Sequence, residues 1–416
     1  MKRIFQTIIM LLLLVLPVSA QTGTKSLTAD TVQQQASAPT ADSVCVSLLT
    51  CTAGTEVYEY YGHFALRLRY TLPHRTDDWV FNYGIFSFSQ PHFIWRFLLG
   101  HTDYQLGVVP YSLFYDSYAR HGRGIIEQKL NLTPAECRRL VAALDENVRP
   151  ENATYRYNFF YDNCTTRPIR MVEKAIDGEV VWPGADGTKT LRDIVHQYAA
   201  VSPWNQFGQD LLLGCEADRP ADIHRQMFAP LQAERFITKA AIRDREGHVR
   251  PLAQQAVTLL PAQPVAEGNA FPVTPIWCFG ALLALTLAIS AYEHFKQKYC
   301  WAFDVVLLIG QGLTGCIIAF LFFFSTHPTV GTNWLVCLFN PLPLVLFPWF
   351  MKAAAARRFS WTMAVQGIMT AVTLVAGACG LQYFPVEVYL ICATLLVRVC
   401  VHVQRTLPAP TSRTRH

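Results

Sequence analysis

Charged residues are scarce in this chain. Lys, Arg, Asp and Glu make up only 16% of its 416 residues, whereas apolar residues make up 51%. The shortage is concentrated after about residue 275, where long apolar runs leave little room for charge. Segments of this kind are typical of membrane helices, and they exclude a protein that is soluble along its whole length.

Motifs for nucleic-acid and metal binding are also missing. The formal net charge is +5, but the basic residues gather in the connections between apolar runs and form no nucleic-acid-binding pattern. The seven cysteines of the apolar half have no metal-ligand spacing, and thiols are ordinary small apolar residues in such segments. Neither a nucleic-acid partner nor a metal is therefore predicted.

The first residues have the pattern of a cleavable signal peptide. Lys2 and Arg3 precede the apolar run IIMLLLLVLPV, and the small-residue ending VSA follows it. We expect a signal peptide over 1–20 and a mature chain that begins at Gln21. Because no cysteine follows the expected cleavage point, the protein is not expected to be a lipoprotein itself. Thr, Ser, Ala and Gln dominate residues 21–42, which predicts a disordered tether.

Composition divides the remaining chain in two. Residues 43–250 mix charged residues with alternating apolar ones, which predicts a folded domain outside the membrane. A Pro- and Ala-rich stretch over 251–274 is interpreted as a linker. Residues 275–405 are predicted to form a transmembrane domain, and residues 406–416 a cytoplasmic tail.

Five apolar segments are long enough to cross a bilayer, which takes about 20 residues for about 30 Å of hydrocarbon. They are about 275–292, 302–324, 331–351, 360–383 and 385–404. Lys and Arg occur in the connections after the first and third segments and in the tail, but not in the other two connections. The positive-inside rule therefore places residues 43–250 on the periplasmic side, in agreement with the signal peptide.

An odd number of cysteines outside the apolar segments leaves at least one thiol unpaired, unless it bonds another chain. The five are Cys45, Cys51, Cys137, Cys164 and Cys215. Cys45 and Cys51 are expected at the two ends of one strand, about 20 Å apart, which is too far for a disulfide.

Cys164 is the candidate nucleophile. It directly precedes the helical pattern TTRPIRMVEKAI. Backbone N–H groups at a helix start lower the pKa of a thiol and can also stabilise an oxyanion. The alternative interpretation is a buried cysteine beside a helix cap.

His63 is the candidate base. In YYGHFALRLRY it opens a predicted strand in which Phe64, Leu66 and Leu68 alternate with Ala65 and with arginines. A histidine at the first residue of a strand lies near the sheet edge, where the start of a helix can approach it. The alternative is a surface or packing histidine.

The stretch IFSFSQPHFIWRFLLG is unusually aromatic and apolar for a soluble surface. This density is suited to an interfacial helix that contacts the bilayer. The alternative is ordinary core packing.

Several stretches together resemble the Lnb family of lipoprotein N-acyltransferases. They are SLLTCTAGTEVYEYYGHFALRL, VFNYGIFSF, the Y.L segment after it and YNFFYDNCTTRP, with HPTVGTNW and FNPLPL in the apolar half. The family's order of His before Cys is similar to that of circularly permuted papain-like folds. The resemblance implies an α+β protein, with a permuted papain-like periplasmic domain followed by an all-α bundle of about five transmembrane helices.

The resemblance also implies a thiol-dependent acyltransferase in the inner membrane that needs no cofactor. The Cys164 thiolate would attack an ester of a phospholipid, with His63 as base. The resulting acyl-enzyme would pass its chain to the α-amine of the S-diacylglyceryl cysteine of a diacylated lipoprotein. The implied partners are the phospholipid donor, the lipoproteins and the membrane.

A third residue is needed to orient the imidazole. If the VFNYGIF strand forms a hairpin with the His63 strand, Asn82 lies on the same face as His63. A slip of one residue in the pairing would place Tyr83 there instead.

Three further residues are candidates for substrate binding. Arg67 and Arg167 could hold a lipid phosphate, or they could be solvated or paired surface arginines. His327 falls in the predicted outer connection between the second and third segments, where it could meet lipid head groups or the amino terminus of a lipoprotein. The alternative is that His327 simply ends a helix at the interface.

Two other functions use the same features. A cysteine amidase or endopeptidase of the cell wall would use the Cys–His pair, but it would need a wide polar cleft and no membrane segments. A non-catalytic envelope accessory protein would have the pair as packing residues. The five apolar segments count against the amidase.

Overall fold

The computed structural model describes residues 44–71, 75–86, 91–263, 272–356 and 358–406. The expected signal peptide, the expected tether and the tail beyond residue 406 lie outside the described residues.

Contacts divide the chain into two compact units. The first takes the described residues up to Tyr198 and those from Pro220 to Asn269, and the second takes Ala199–Arg219 and the residues from Ala270 onward. Ala199–Arg219 packs with the helical unit, although its sequence lies within the predicted periplasmic domain.

Ten strands occur among the described residues, and all belong to the first unit. In chain order they are β1 (Val44–Cys51), β2 (His63–Thr71), β3 (Thr76–Ile85), β4 (Asp103–Pro110), β5 (Ile125–Lys129), β6 (Thr154–Arg156), β7 (Glu179–Val181), β8 (Ala241–Arg243), β9 (Val249–Pro251) and β10 (Val257–Leu260). Seven form one antiparallel sheet in the order β10-β5-β1-β2-β3-β4-β6, and β7, β8 and β9 form a small second sheet.

Helices cover both faces of the large sheet. Among the described residues up to Ile237, nine α-helices occur. In chain order they are α1 (Phe93–Leu98), α2 (Tyr111–Arg120), α3 (Pro134–Val148), α4 (Pro150–Ala153), α5 (Thr166–Ala175), α6 (Leu191–Ala199), α7 (Pro203–Leu212), α8 (Ile223–Gln226) and α9 (Pro230–Ile237). All but α7 belong mainly to the first unit. Side chains of α3, α5 and α9 share the larger core, and α2 packs in a smaller core on the other side. The mixture of helix and antiparallel sheet confirms the predicted α+β class.

Successive side chains of β2 alternate between these two cores, as its sequence pattern predicts. Phe64, Leu66 and Leu68 lie in the larger core, whereas Ala65 lies in the smaller one. Successive side chains of a strand point to opposite faces, so a strand covered on both faces is buried at every position. β2 is accordingly buried from Phe64 through Leu68.

Part of the predicted linker is folded. β10 pairs with β5 at the edge of the large sheet, where Val257 lies opposite Glu127. Leu259 and Leu260 pack against the smaller core. The Pro- and Ala-rich composition concealed a short edge strand, because proline is tolerated next to an edge strand.

The second unit is helical. Its helices after α7 are α10 (Pro275–Lys296), α11 (Trp301–Phe324), α12 (Leu335–Leu338), α13 (Leu342–Val345), α14 (Phe347–Ala355), α15 (Trp361–Ala378) and α16 (Val386–Thr406). Four are long and apolar enough to cross a membrane, and a bent set makes a fifth span if it is counted as one. Large apolar side chains point outward, with Phe295 81% and Trp277 74% exposed, as lipid contact requires.

The third predicted span, about 331–351, is broken. Leu335–Val345 and Phe347–Ala355 meet at an angle of 67°. Pro341, Pro343 and Pro348 in this stretch have no backbone N–H to donate, which interrupts a helix. The connection between α12 and α13 approaches α11 at Gly315, where a Cβ atom would lie 2.3 Å from the Asn340 backbone.

The segment Ala199–Arg219 is bound by buried amides of the second unit. Asn333 Nδ2 donates to the Leu211 carbonyl at 2.7 Å, and Gln382 Nε2 donates to the Leu213 carbonyl at 3.0 Å. Gln382 Nε2 also donates to Asn333 Oδ1 at 3.0 Å. Because buried amides are costly unless they are hydrogen-bonded, this network favours one defined position for the segment.

Three buried charges join the long helices of the second unit. Arg398 of α16 donates to Glu293 of α10 at 2.7 Å and to Asp304 of α11 at 2.5 Å. The three side chains are at most 2% exposed. Charges this deeply buried are stable only as a group, because each one alone would lose its hydration without compensation.

Removing the cation of this group should destabilise the helical unit. Arg398→Met leaves Glu293 and Asp304 buried without a partner, so we expect the free energy of unfolding in detergent to fall by about 3–5 kcal/mol. Lys296→Met is the control, because Lys296 is exposed at the end of α10, and its expected effect is below about 0.5 kcal/mol. Equal stability of the two variants would contradict a structural role for the charges.

Candidate active site

Cys164 lies in a tight turn just before α5. The Asn163 side chain shapes this turn, because its Oδ1 accepts from the backbone N–H groups of Thr165 at 2.8 Å and Thr166 at 3.0 Å. Asn163 Nδ2 donates to the Phe159 and Phe228 carbonyls, each at 2.8 Å. Asn163 therefore fixes the turn and satisfies backbone N–H groups at the start of α5.

The sulfur of Cys164 faces the beginning of β2. The backbone N–H of Phe64, the residue after His63, lies within hydrogen-bonding reach of the sulfur, and so does the N–H of Cys164 itself. The ladder between β2 and β3 begins only at Leu66 and Phe81. The Phe64 N–H is thus available to the sulfur, because the pairing of β2 with β3 does not extend to Phe64.

Gly84 makes room for Cys164 where β3 ends. Its φ is +96°, and a Cβ atom at this position would lie 3.6 Å from the Cys164 Cβ. The pairing of β3 with β4 shifts between Tyr83 and Ile85, which marks a bulge at Gly84. A side chain at this φ would be strained even though the space would accept it.

His63 is hydrogen-bonded to Asn82. The distance from His63 Nε2 to Asn82 Oδ1 is 2.6 Å. The register pairs Leu66 with Phe81, so Asn82 stands diagonally across from His63 on the same face of the hairpin. The predicted contact is present, and the alternative register with Tyr83 on this face is not. Tyr83 points into the larger core instead.

Burial keeps both His63 and Cys164 neutral at neutral pH. It lowers the pKa of His63 to about 4, despite the opposing effect of the Asn82 hydrogen bond, and Arg123 lowers it further. Burial also raises the pKa of Cys164 above its ordinary value, although Thr165, the two backbone N–H groups and Arg123 act against it. The expectation that the helix start lowers the pKa of Cys164 is therefore wrong for the free protein, because desolvation outweighs the hydrogen bonds.

Cys51, the other cysteine near His63, is inert by comparison. It lies opposite His63 in the pairing of β1 with β2 and is fully buried. Burial raises its pKa to about 12, although Arg123 and a hydrogen bond with Tyr118 lower it. A thiol in this environment is a packing residue.

Arg67 is occupied by structural contacts. Its guanidinium donates to Asp78 at 2.8 and 2.5 Å and to Glu127 at 3.0 Å, and it lies 3.5 Å above the Tyr111 ring. The side chain is 8% exposed. These contacts tie three strands and α2 together and favour the paired-arginine interpretation over a phosphate ligand.

Arg167 is paired as well. It donates to both carboxylate oxygens of Asp162, at 3.0 and 2.6 Å, and lies 3.9 Å above the Tyr155 ring. Arg170 donates to the same carboxylate. The Asp162 pair orders the turn that carries Cys164, so Arg167 has the contacts of a positioning residue rather than those of a free phosphate ligand.

His327 belongs to the second unit. It lies half-buried in the connection between α11 and α12, where its backbone N–H donates to Ser325 Oγ at 3.3 Å. The same connection contains Asn333, which binds the Ala199–Arg219 segment. Its polar residues therefore have a structural task besides any contact with substrate.

Two features of the first unit bear on ligands. In α1, Ile94 and Trp95 are 55% and 58% exposed while Phe93 is buried, an arrangement suited to an interface.

In the turn between β8 and β9, ligand atoms of Asp244, Glu246 and His248 lie within 4.8 Å of one another. This cluster is largely exposed and its members already bond each other, so it is not assigned as a metal site.

Sequence reasoning missed Arg123. This arginine is 8% exposed, and its charge acts on Cys51, His63 and Cys164 together. The signal available in the sequence was its position between Gly122 and Gly124, just before an apolar strand, where a solvated charge is not expected.

Two domain families match the chain. Residues 31–197 match the Lnb N-terminal periplasmic domain, and residues 266–408 match the Lnb transmembrane domain. The segment Ala199–Arg219 falls between the two matches. No curated protein and no solved structure matches the chain. Together with the apolar helices, the matches identify a multi-pass membrane protein with a periplasmic, enzyme-like domain.

Replacing Asn82 should move the pH dependence of Cys164 reactivity. Asn82→Asp places an anion beside Nε2 and raises the pKa of His63, so the fall in Cys164 alkylation rate toward acid should begin at a higher pH. Asn82→Ala removes a bond that raises this pKa, so the fall should begin at a lower pH. Alkylation by iodoacetamide, followed on the Cys164 peptide by mass spectrometry, measures both shifts. An unchanged profile in both variants would show that His63 does not control the thiol.

Proposed function

The chain belongs to the Lnb family, and from this premise we propose that it is a lipoprotein N-acyltransferase. It moves an acyl chain from a phospholipid, through a thioester on Cys164, to the α-amine of the S-diacylglyceryl cysteine of lipoproteins. The reaction takes place on the periplasmic side of the inner membrane.

The bond between His63 and Asn82 is the observation that carries this proposal. An amide Oδ1 only accepts hydrogen bonds, so Nε2 carries the proton of the neutral ring. Nδ1 is then the unprotonated nitrogen that exchanges a proton with Cys164. This order of thiol, imidazole and amide is the one used by papain-like enzymes, and it supports a permuted papain-like arrangement.

The first transfer forms the acyl-enzyme. His63 Nδ1 takes the thiol proton as the Cys164 sulfur attacks the ester carbonyl of the phospholipid. The N–H groups of Cys164 and Phe64 lie beside the sulfur and are placed to stabilise the tetrahedral oxyanion. When the intermediate collapses, the carbon–oxygen bond breaks, and the lysophospholipid leaves with the proton from His63.

The second transfer consumes the acyl-enzyme. The neutral α-amine of the lipoprotein attacks the thioester carbonyl, and His63 takes a proton from the nitrogen. The carbon–sulfur bond then breaks, the proton returns to the sulfur, and the amide is released. An α-amine has a pKa of about 8, so an adequate fraction is neutral at pH 7.

The neutral state of Cys164 and His63 is suited to these two transfers. Because burial disfavours the thiolate, the nucleophile forms only when a substrate carbonyl is positioned to accept it. The same burial limits water, which would otherwise hydrolyse the thioester. The exposed Ile94 and Trp95 of α1 offer an apolar surface for contact with the bilayer from which both substrates come.

Removing the nucleophile or the base should abolish the reaction. Cys164→Ser and His63→Ala should each lose N-acylation while the protein remains inserted, because the serine hydroxyl ionises far less readily and the thiol needs its base. The double variant should be no worse than either single variant, because the two groups act as a unit. Mass spectrometry of lipoprotein amino termini in a deletion strain that carries each variant measures the outcome.

Two controls make this experiment specific. Cys45→Ser changes a half-buried cysteine on the same strand as Cys51 and should leave N-acylation intact. Wall fragments from the same strains test the amidase alternative. If their composition changes while lipoprotein amino termini do not, the substrate assignment is wrong, and if Cys51→Ala alone abolishes activity, the nucleophile is misassigned.

The connection that contains His327 provides a further prediction. If this polar connection contacts a head group or the lipoprotein amino terminus, His327→Ala should lower N-acylation severalfold at unchanged protein level. His294→Ala at the end of α10 is the matched control and should have wild-type activity, because the positive-inside rule assigns it to the cytoplasmic side. Full activity of His327→Ala would remove His327 from the substrate-binding residues.

A further inference from the structure

We propose that Arg123 is a positioning residue that controls proton transfer between Cys164 and His63, with Glu59 as the counter-charge that moderates it. This inference rests on the proposed Cys164–His63 pair, but not on the identity of the acyl donor or acceptor.

Arg123 is held rigidly next to the end of β1. Its Nε donates to the Thr52 carbonyl at 3.0 Å, and its Nη1 donates to Glu59 Oε1 at 2.6 Å. The guanidinium lies 4.8 Å from the centre of the Tyr118 ring. With two hydrogen bonds and a ring contact, the cation has little freedom to reorient.

These contacts place the cation beside the reacting residues. Thr52 directly follows Cys51, and Cys51 is the pairing partner of His63. Tyr118 is hydrogen-bonded to Cys51 from the other side. The guanidinium therefore lies next to the end of β1 that pairs with the start of β2, close enough to act electrostatically on His63.

One nitrogen of the guanidinium is left over. Arg123 Nη2 is buried and has no hydrogen-bond partner among the described residues. A buried donor without a partner costs stability, so a purely structural arginine would be expected to bond it. The presence of an arginine with this unbonded Nη2 therefore indicates a role for the positive charge.

The other groups that face Cys164 are neutral at pH 7. Those that interact electrostatically with Cys164 are Cys51 of β1, Tyr104 of β4, Tyr118 of α2, Tyr155 of β6 and Tyr157 after it, and His63 of β2 precedes Phe64, whose N–H reaches the sulfur. Burial raises the pKa of each tyrosine and of Cys51 and lowers that of His63, so none of them ionises near neutrality. Asp162, which precedes α5, forms an ion pair with Arg167 of α5.

Arg123 stabilises the negative charge that develops on sulfur and oxygen, and it makes His63 a weaker base and its imidazolium a stronger acid. A nearby cation stabilises the thiolate, and it destabilises the imidazolium. The thiolate and the later oxyanion therefore form more readily, while the imidazolium becomes a stronger acid toward the leaving group. Glu59 opposes this effect because its carboxylate binds the same guanidinium.

Opposite changes of charge should have opposite effects on the thiol. In the full-length protein in detergent, iodoacetamide alkylates Cys164: a sulfur–carbon bond forms, iodide leaves with its electron pair, and the thiol proton passes to His63 or solvent. Arg123→Gln should slow this reaction at pH 7 by roughly three- to tenfold. Glu59→Gln should accelerate it by a similar factor, and Arg123→Lys, which keeps the charge, should stay near wild type.

A structural role would give a different pattern. If Arg123 only supports the fold, both neutral variants should change the rate in the same direction, or neither should change it, and either result overturns the proposal. If Arg123→Gln fails to fold, the acceleration expected for Glu59→Gln still decides the question. Because alkylation needs no lipid, a chain that alkylates as expected but transfers no acyl group would disprove the proposed function and leave this inference standing.

N-acylation gives a second measurement. Since the buried Arg123 acts through Cys164 and His63 in this proposal, Arg123→Gln should lower kcat and leave KM unchanged. A rise in KM at constant kcat would assign Arg123 to substrate binding and overturn its role in proton transfer.

Discussion

The antiparallel register of β1, β2 and β3 is the constraint on which the site depends. It places His63 opposite Cys51 and brings Asn82 diagonally across to the imidazole. A shift of one residue would turn every side chain of β3 to the other face and exchange Asn82 for Tyr83. The two cores on opposite faces of the sheet prevent this shift, because it would bury polar groups in one core and remove aromatic ones from the other.

Burial determines the chemistry at this site as much as the identity of the residues does. The sulfur of Cys164 has two backbone N–H groups within reach and a cation nearby, yet desolvation still raises the pKa of the thiol. The same desolvation keeps His63 neutral and able to accept a proton. Under the proposed function, the same burial would protect a thioester intermediate from water.

The second unit applies the same physics to different groups. Its buried charges occur together, with Arg398 bonded to Glu293 and Asp304, and its buried amides are bonded to the carbonyls of the Ala199–Arg219 segment. In a low-dielectric interior each of these groups is tolerated only with its partners. The second unit therefore contains, as part of its own core, a segment that lies within the predicted periplasmic region of the sequence.

The sequence alone predicted the apolar helices and the candidate residues Cys164 and His63, because hydropathy and strand alternation depend on neighbouring residues. Its resemblance to the Lnb family predicted the α+β class. The prolines of the third span also indicate its break, but the prediction of one continuous span rested on length and hydropathy. Tertiary structure decided the rest. Arg67 and Arg167 pair with carboxylates on other strands or across a turn. Arg123, just before β5, lies beside the end of β1, the strand that pairs with the His63 strand. Burial raises the pKa of Cys164 rather than lowering it. Partners and desolvation depend on which elements pack together, and no local pattern contains that information.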